Sequence, residues 1–202
     1  MKLRKLNRLV QGVGVNDADY RLHRRENING KNVLVWRCPY YNAWCSMLNR
    51  CYSVKYHSHL AYKDCSVCDE WLTFSNFKAW MEQQDWQGKQ LDKDLLKVDN
   101  KVYSPDTCIF VDRTINGFAI GAGRGVGDFM LGVYASQTSN KFISTVCNPF
   151  THKREYLGTF TDELEAHLAW KSRKHELACL LADSEYCTDP RLLEALRKRY
   201  AD

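Results

Sequence analysis

A chain of 202 residues with 45% hydrophobic and 12% aromatic content can fill one large core or two small ones, which excludes a wholly disordered protein. No apolar run approaches the length of a bilayer span, and the basic opening MKLRKLNRLVQ has no apolar h-region behind it, so neither a membrane segment nor a signal peptide is expected and the product is expected in the cytoplasm. The net charge of +5 is unevenly placed: the first fifty residues hold ten Lys/Arg against three Asp/Glu, the remainder 19 against 21. A field so concentrated suits a phosphate backbone, or else forms a solvated face that keeps the protein soluble.

In chain order, residues 1–39 read as a basic arm. NAWCSMLNRCY (Asn42 to Tyr52) predicts a helix with Trp44, Met47 or Leu48, and Cys51 on one face, and WLTFSNFKAWM (Trp71 to Met81) predicts another with Trp71, Phe74, Phe77 or Lys78, and Met81. Both faces read as core, packing on a turn-rich segment from Leu91 to Val111. GAGRGVG (Gly121 to Gly127) places glycine at every second position and reads as a flexible joint, 119–129, between two domains. Beyond it, MLGVYAS, KFISTVCNP and KREYLGTF predict three short strands separated by polar and proline turns. Thr161 is the expected cap of a helix carrying Ala166, Ala169, Trp170, Leu177, Leu180 and Leu181 on one stripe, with Arg173 snorkelling out of it. A last helix is expected to start at Asp189-Pro190.

Nine cysteines in a chain expected to stay in a reducing compartment fit free thiols or metal ligands better than disulfides. Cys65 and Cys68 have the C-x-x-C spacing that grips one zinc ion. The remaining ligands are expected from Cys51 and Cys108, which flank the turn-rich segment, in preference to His57 and His59; the alternative is four buried, inert thiols. In the stretch QLDKD, alternation along a strand would turn Asp92 and Asp94 to one side and Lys93 to the other. Two carboxylates on one side could hold magnesium or manganese against a scissile phosphate, although paired acids are common on any polar hairpin.

LDKD followed by NKVYSPDTCIFVDRTIN resembles the core of phage-encoded HNH endonucleases, relatives of homing endonucleases, and the upstream WCSMLNRCY and CSVCDEWLTFSNFKAWM resemble the same family's lead-in. LGVYAS, KFISTV and REYLGTF with the following helix resemble the plant-type Apetala-two/ethylene-response-factor DNA-binding domain. The resemblance implies an α+β protein: an HNH-like ββα-metal domain with flanking helices over 40–118, and over 130–202 a three-stranded antiparallel sheet packed on one helix, with a C-terminal helix.

It implies duplex DNA as partner, with Asp92, Asp94 and Asn116 around the divalent ion. Lys93 stands where the family's general-base histidine is expected, and Thr107 where a central asparagine is usual. The base would then be His57 or His59, with Lys93 steadying the phosphate. On the sheet the resemblance implies DNA contact by Tyr134, Phe142, Arg154 and Tyr156, flanked by Lys141 and Lys153. One nuclease centre nicks as a monomer and needs a homodimer for a double-strand break. The Lys93 and Thr107 substitutions favour the alternative of a catalytically silent factor that binds DNA or a host protein.

Overall fold

The computed structural model describes residues 9–56, 62–120 and 129–201. His57, His59 and the glycine joint at 121–127 lie outside the described residues. The architecture is mixed α+β, with five α-helices and several small sheets among the described residues. The chain divides into two compact units, Met1–Trp86 with Lys97–Ile109, and Gln87–Leu96 with Phe110–Asp202. The division runs through the segment 40–118, which reads in sequence as one domain.

The first unit holds β1 (His23–Ile28), β2 (Lys31–Arg37), α1 (Pro39–Tyr52), β3 (Ser66–Val67) and α2 (Phe74–Met81), and it also takes in β5 (Val102–Tyr103). Pro39 sits in the first turn of α1, where its missing N–H loses nothing. The expected face is the buried one: Trp44, Met47, Leu48 and Cys51. Trp71 ends up in a 3-10 turn, Asp69–Leu72, ahead of α2 and not inside the helix, yet it is buried with Phe74, Phe77 and Met81 as its apolar spacing requires. Trp44 lies at the centre, its indole N–H donating to the Trp71 carbonyl at 2.7 Å and its ring against Tyr41 and Phe74. Inside the expected basic arm, β1 and β2 form an antiparallel hairpin whose Asn29-Gly30 turn has positive φ at both residues, 51° and 77°.

The second unit holds β4 (Gln90–Asp92) and, from Phe110 on, β6 (Ile109–Val111), its pairing partner, which leads to α3 (Arg113–Ile120). Its largest part is the sheet β7 (Val133–Ala135), β8 (Phe142–Cys147) and β9 (Arg154–Phe160), antiparallel in chain order and backed by α4 (Glu163–Ala182). All three strands fall inside their sequence-predicted spans. Asp162, not Thr161, caps α4, accepting the Glu165 N–H at 3.0 Å. Leu180 is exposed and Lys174 is buried on the stripe in its neighbourhood. Arg173 does not snorkel free: it pairs with Glu155 on β9 at 2.8 Å and with Glu176 at 2.7 Å, and this holds the Glu155 carboxyl below the usual carboxylate range. α5 (Pro190–Lys198) starts at the expected Asp189 cap.

Candidate nucleic-acid interface

β4 ends at Asp92, so Asp94 and Lys93 lie beyond the strand in a bend and the alternation that would pair the two carboxylates does not extend to them. Asp92 Oδ1 accepts the backbone N–H groups of Asp94 and Leu95, both at 2.7 Å, and so closes the bend. Burial pushes its carboxyl above the usual carboxylate range, while those two N–H bonds pull the other way. Lys93 is only 3% exposed and forms an ion pair with Asp94, which turns Lys93 away from solvent rather than toward a substrate phosphate. Asn116, on α3, donates from Nδ2 to Gln90 Oε1, while its buried Oδ1 has no hydrogen-bond partner among the described residues. Gln90 and Asp92 alternate onto one side of β4, so Asn116 stands on the side from which Asp92 projects. Thr107 bonds to Ser104 at 2.9 Å and to the Val102 carbonyl at 2.8 Å, which makes it a turn-closing residue.

The four expected zinc ligands are placed as follows. Cys51 is buried on α1, Cys65 and Cys68 flank β3, and Cys108 is buried just ahead of β6. All nine cysteines are unbridged. Among the described residues no three His, Cys, Asp or Glu side chains come together as a metal-holding group. Burial pushes the Cys68 thiol up, favouring the protonated form over the thiolate that binds metal.

On the sheet, the register decides which side chains share a face. Tyr134 pairs with Ile143, Thr145 with Tyr156, and Cys147 with Arg154, with a bulge where β9 passes Leu157 and Gly158. Tyr134, Ile143, Thr145, Cys147, Arg154 and Tyr156 therefore look away from α4. That face has one formal charge, Arg154, and no carboxylate. Tyr156 is 65% exposed, with its hydroxyl bonded to Thr159 at 2.7 Å. Phe142 belongs to the opposite face by the same alternation; it is half-buried and its ring meets Phe129 edge-on at 5.8 Å. Lys141 and Lys153 are exposed just beyond the two ends of the β8–β9 ladder, about 20 Å apart at strand rise.

Beside this face a groove of about 1040 Å³ is lined by Arg113 and Phe118 of α3, Tyr134 and Arg154 of the sheet, His152, and Lys174 of α4. Sequence reasoning alone does not single out Arg113, His152 or Lys174. A lysine four residues after Trp170 on an otherwise apolar stripe is the one signal it offers. Lys174 Nζ donates to the Phe118 carbonyl at 2.8 Å and lies 3.5 Å from the Phe118 ring centroid. Burial lowers its pKa to about 8, helped by Arg199 and opposed by Cys147. With the folded pKa below the ordinary 10.5, the unfolded chain binds more protons between the two values, so stability rises with pH from about 8 to 10.5, by on the order of 3 kcal/mol. Denaturant titrations at pH 7.5 and 10 should show that gain in the wild type, and its loss in Lys174→Met.

Compared with protein-family models, with curated proteins and with solved structures, the chain shows no significant match.

Proposed function

We propose that this chain is a duplex-DNA-binding protein of the HNH-endonuclease type, with the outward face of β7–β8–β9 as its principal DNA contact. The observation that carries this reading is the make-up of that face: Tyr134 and Tyr156 stand exposed on the same face as Arg154, with no carboxylate among them. A Tyr that is 65% exposed gains little from the core, whereas its ring and hydroxyl are suited to base and sugar edges. Arg154 offers a planar fork for guanine or phosphate. Lys141 and Lys153 supply sequence-independent attraction at the two ends. In an electrophoretic shift assay on a 30-base-pair duplex, Arg154→Ala combined with Tyr156→Ala should weaken binding at least tenfold without altering the melting temperature. An unchanged shift would remove the sheet from the interface.

Metal-dependent nicking is a second reading, favoured by the orphaned Oδ1 of Asn116 on the Asp92 side of β4. Asp92 and Asn116 would offer oxygen donors of the hard kind that magnesium and manganese select, with Asp94 close in sequence. Such an ion, when bound, stabilises charge on the phosphate and the leaving oxygen. The chain's own contribution is to aim the Asp92 carboxylate through the bend that it closes. Lys93, buried and paired, is unsuited to take a proton from water, which leaves that role to His57 or His59.

Asp92→Asn separates structure from chemistry, because the amide oxygen still accepts both backbone N–H groups. Its fold should be at least as stable as wild type near neutrality. Ionisation of Asp92 is disfavoured in the fold, so its stabilising share belongs to low pH and is lost as pH rises through the raised pKa. Asp92→Ala should instead lose about 2 kcal/mol by orphaning those donors. Supercoiled plasmid nicked in magnesium by wild type, and left intact with EDTA or by Asp92→Asn, supports the enzyme. Intact plasmid with a salt-sensitive shift identifies a silent binder.

A further inference from the structure

The β1–β2 hairpin takes no part in either site described above. All thirteen of its strand residues are exposed. A two-stranded ribbon alone is marginally stable in water, so one that is held by a tight Asn-Gly turn and left uncovered is suited to meeting a partner. It carries Arg24, Arg25, Lys31 and Arg37 against a single acid, Glu26, which Arg24 already pairs at 3.1 Å.

The register sorts its side chains onto two faces. Arg24 pairs with Trp36 and Arg25 with Leu34, so Val35 is the extra residue of a bulge. His23, Arg25, Asn27, Asn32, Leu34 and Arg37 share one face, and Arg24, Glu26, Ile28, Lys31, Val33 and Trp36 share the other. The Arg24–Glu26 pair, two residues apart, agrees with this assignment. The first face has two arginines, two asparagines, a histidine and no acid. Arg25 donates to the Asn32 carbonyl at a long 3.3 Å, and Arg37 to Asn42 Oδ1 at 3.0 Å, bonds that orient the guanidiniums without neutralising them.

We propose that this ribbon is a second DNA-reading element, placing its Arg25–Asn27–Asn32–Arg37 face in the major groove. The choice of duplex DNA as partner rests on the function proposed above; the surface is a separate one. A major groove about 12 Å wide admits a two-stranded ribbon, whose strands lie about 4.8 Å apart. Six residues of strand run about 20 Å, or roughly six base-pair steps. Arginine to guanine and asparagine to adenine are the bidentate pairings that this groove rewards. Charge complementarity selects the polyanion for this face. The competing occupant is a second copy seated on the Ile28–Val33–Trp36 face.

The test is fluorescence anisotropy of the full chain on a labelled random-sequence 30-base-pair duplex between 50 and 300 mM salt. Arg25→Ala with Arg37→Ala should weaken binding about tenfold or more and lower the log–log salt slope by about 2, one for each arginine withdrawn from the polyanion. Arg25→Glu alone, which changes the charge by the same two units at an exposed position, should weaken it to a similar degree while leaving the thermal melt unchanged. Asn27→Ala with Asn32→Ala should leave the slope as it is and reduce discrimination between duplexes of different sequence. Unchanged affinity and slope in the arginine variants, in a protein whose binding still depends on Arg154 and Tyr156, overturns the ribbon proposal and spares the sheet. No binding by the wild type at 50 mM salt overturns both. Sedimentation showing a dimer that Trp36→Ser dissolves, with DNA affinity indifferent to Arg25 and Arg37, assigns the ribbon to the second copy instead.

Discussion

Gly132→Ala should melt the C-terminal sheet far below the wild-type temperature. Gly132 has φ of +80°, and a Cβ built there would lie 2.0 Å from Trp170 Cγ and 2.1 Å from its Cδ1. Left-handed backbone costs an L-residue about 1–2 kcal/mol, and forcing a methyl into a filled core costs about 1–3 more. Trp170 cannot easily give way, because its ring stacks on His167 at 5.4 Å and meets Tyr200 edge-on at 6.1 Å. The backbone is also committed: the Gly132 carbonyl accepts from Thr145 N–H at 3.0 Å, fastening β7 to β8. Together these make a loss of roughly 2–5 kcal/mol, which corresponds to a fall of about 10–25 °C for a unit of this size. Calorimetry would show it; a shift of under 5 °C would mean that Trp170 does not close over Gly132.

The second large effect is expected in the first unit. Trp44→Ala removes a ring with no solvent exposure, and it leaves the Trp71 carbonyl without its 2.7 Å indole donor. Truncating a buried Trp costs about 3–5 kcal/mol, and an orphaned buried carbonyl about 1–3 more. Cavity collapse is limited, because Tyr41 and Phe74, which pack on Trp44 and on each other, are aromatic, and Gly14 already sits so close that a Cβ there would meet Trp44 at 2.9 Å. Trp44→Phe restores most of the volume without the hydrogen bond, so about half of the loss should return. Chemical denaturation of both variants distinguishes the terms; equal losses would mean that the carbonyl bond, not the volume, dominates.

Legibility in the sequence followed burial. α1, the α2 face and the three C-terminal strands bury apolar residues at fixed periods, and those periods can be read without coordinates. Phe142 shows the limit: its strand is legible, but its face depends on pairing, which the sequence of β8 does not contain. The β1–β2 ribbon is hidden because none of its residues is buried, so no amphipathic period marks it; Asn29-Gly30 is the one local clue. At β4 the strand stops at Asp92, two residues before the second pair member, so alternation misplaces Asp94 once Asp92 has folded back to close the bend. Lys174 reads as an ordinary helix lysine, and the Phe118 carbonyl and ring, with the Tyr200 ring, explain how α4 tolerates it. For the four cysteines the spacing alone is legible, not where α1, β3 and β6 put them.

The measurement that bears most directly on the proposed function is the salt dependence of duplex binding by the intact chain, with Arg154→Glu as the comparison. The expected result is wild-type affinity that falls linearly in log–log form as salt rises, and a variant at least tenfold weaker with a shallower slope. Affinity indifferent to salt, or identical in the variant, would contradict a sheet face built to meet phosphates.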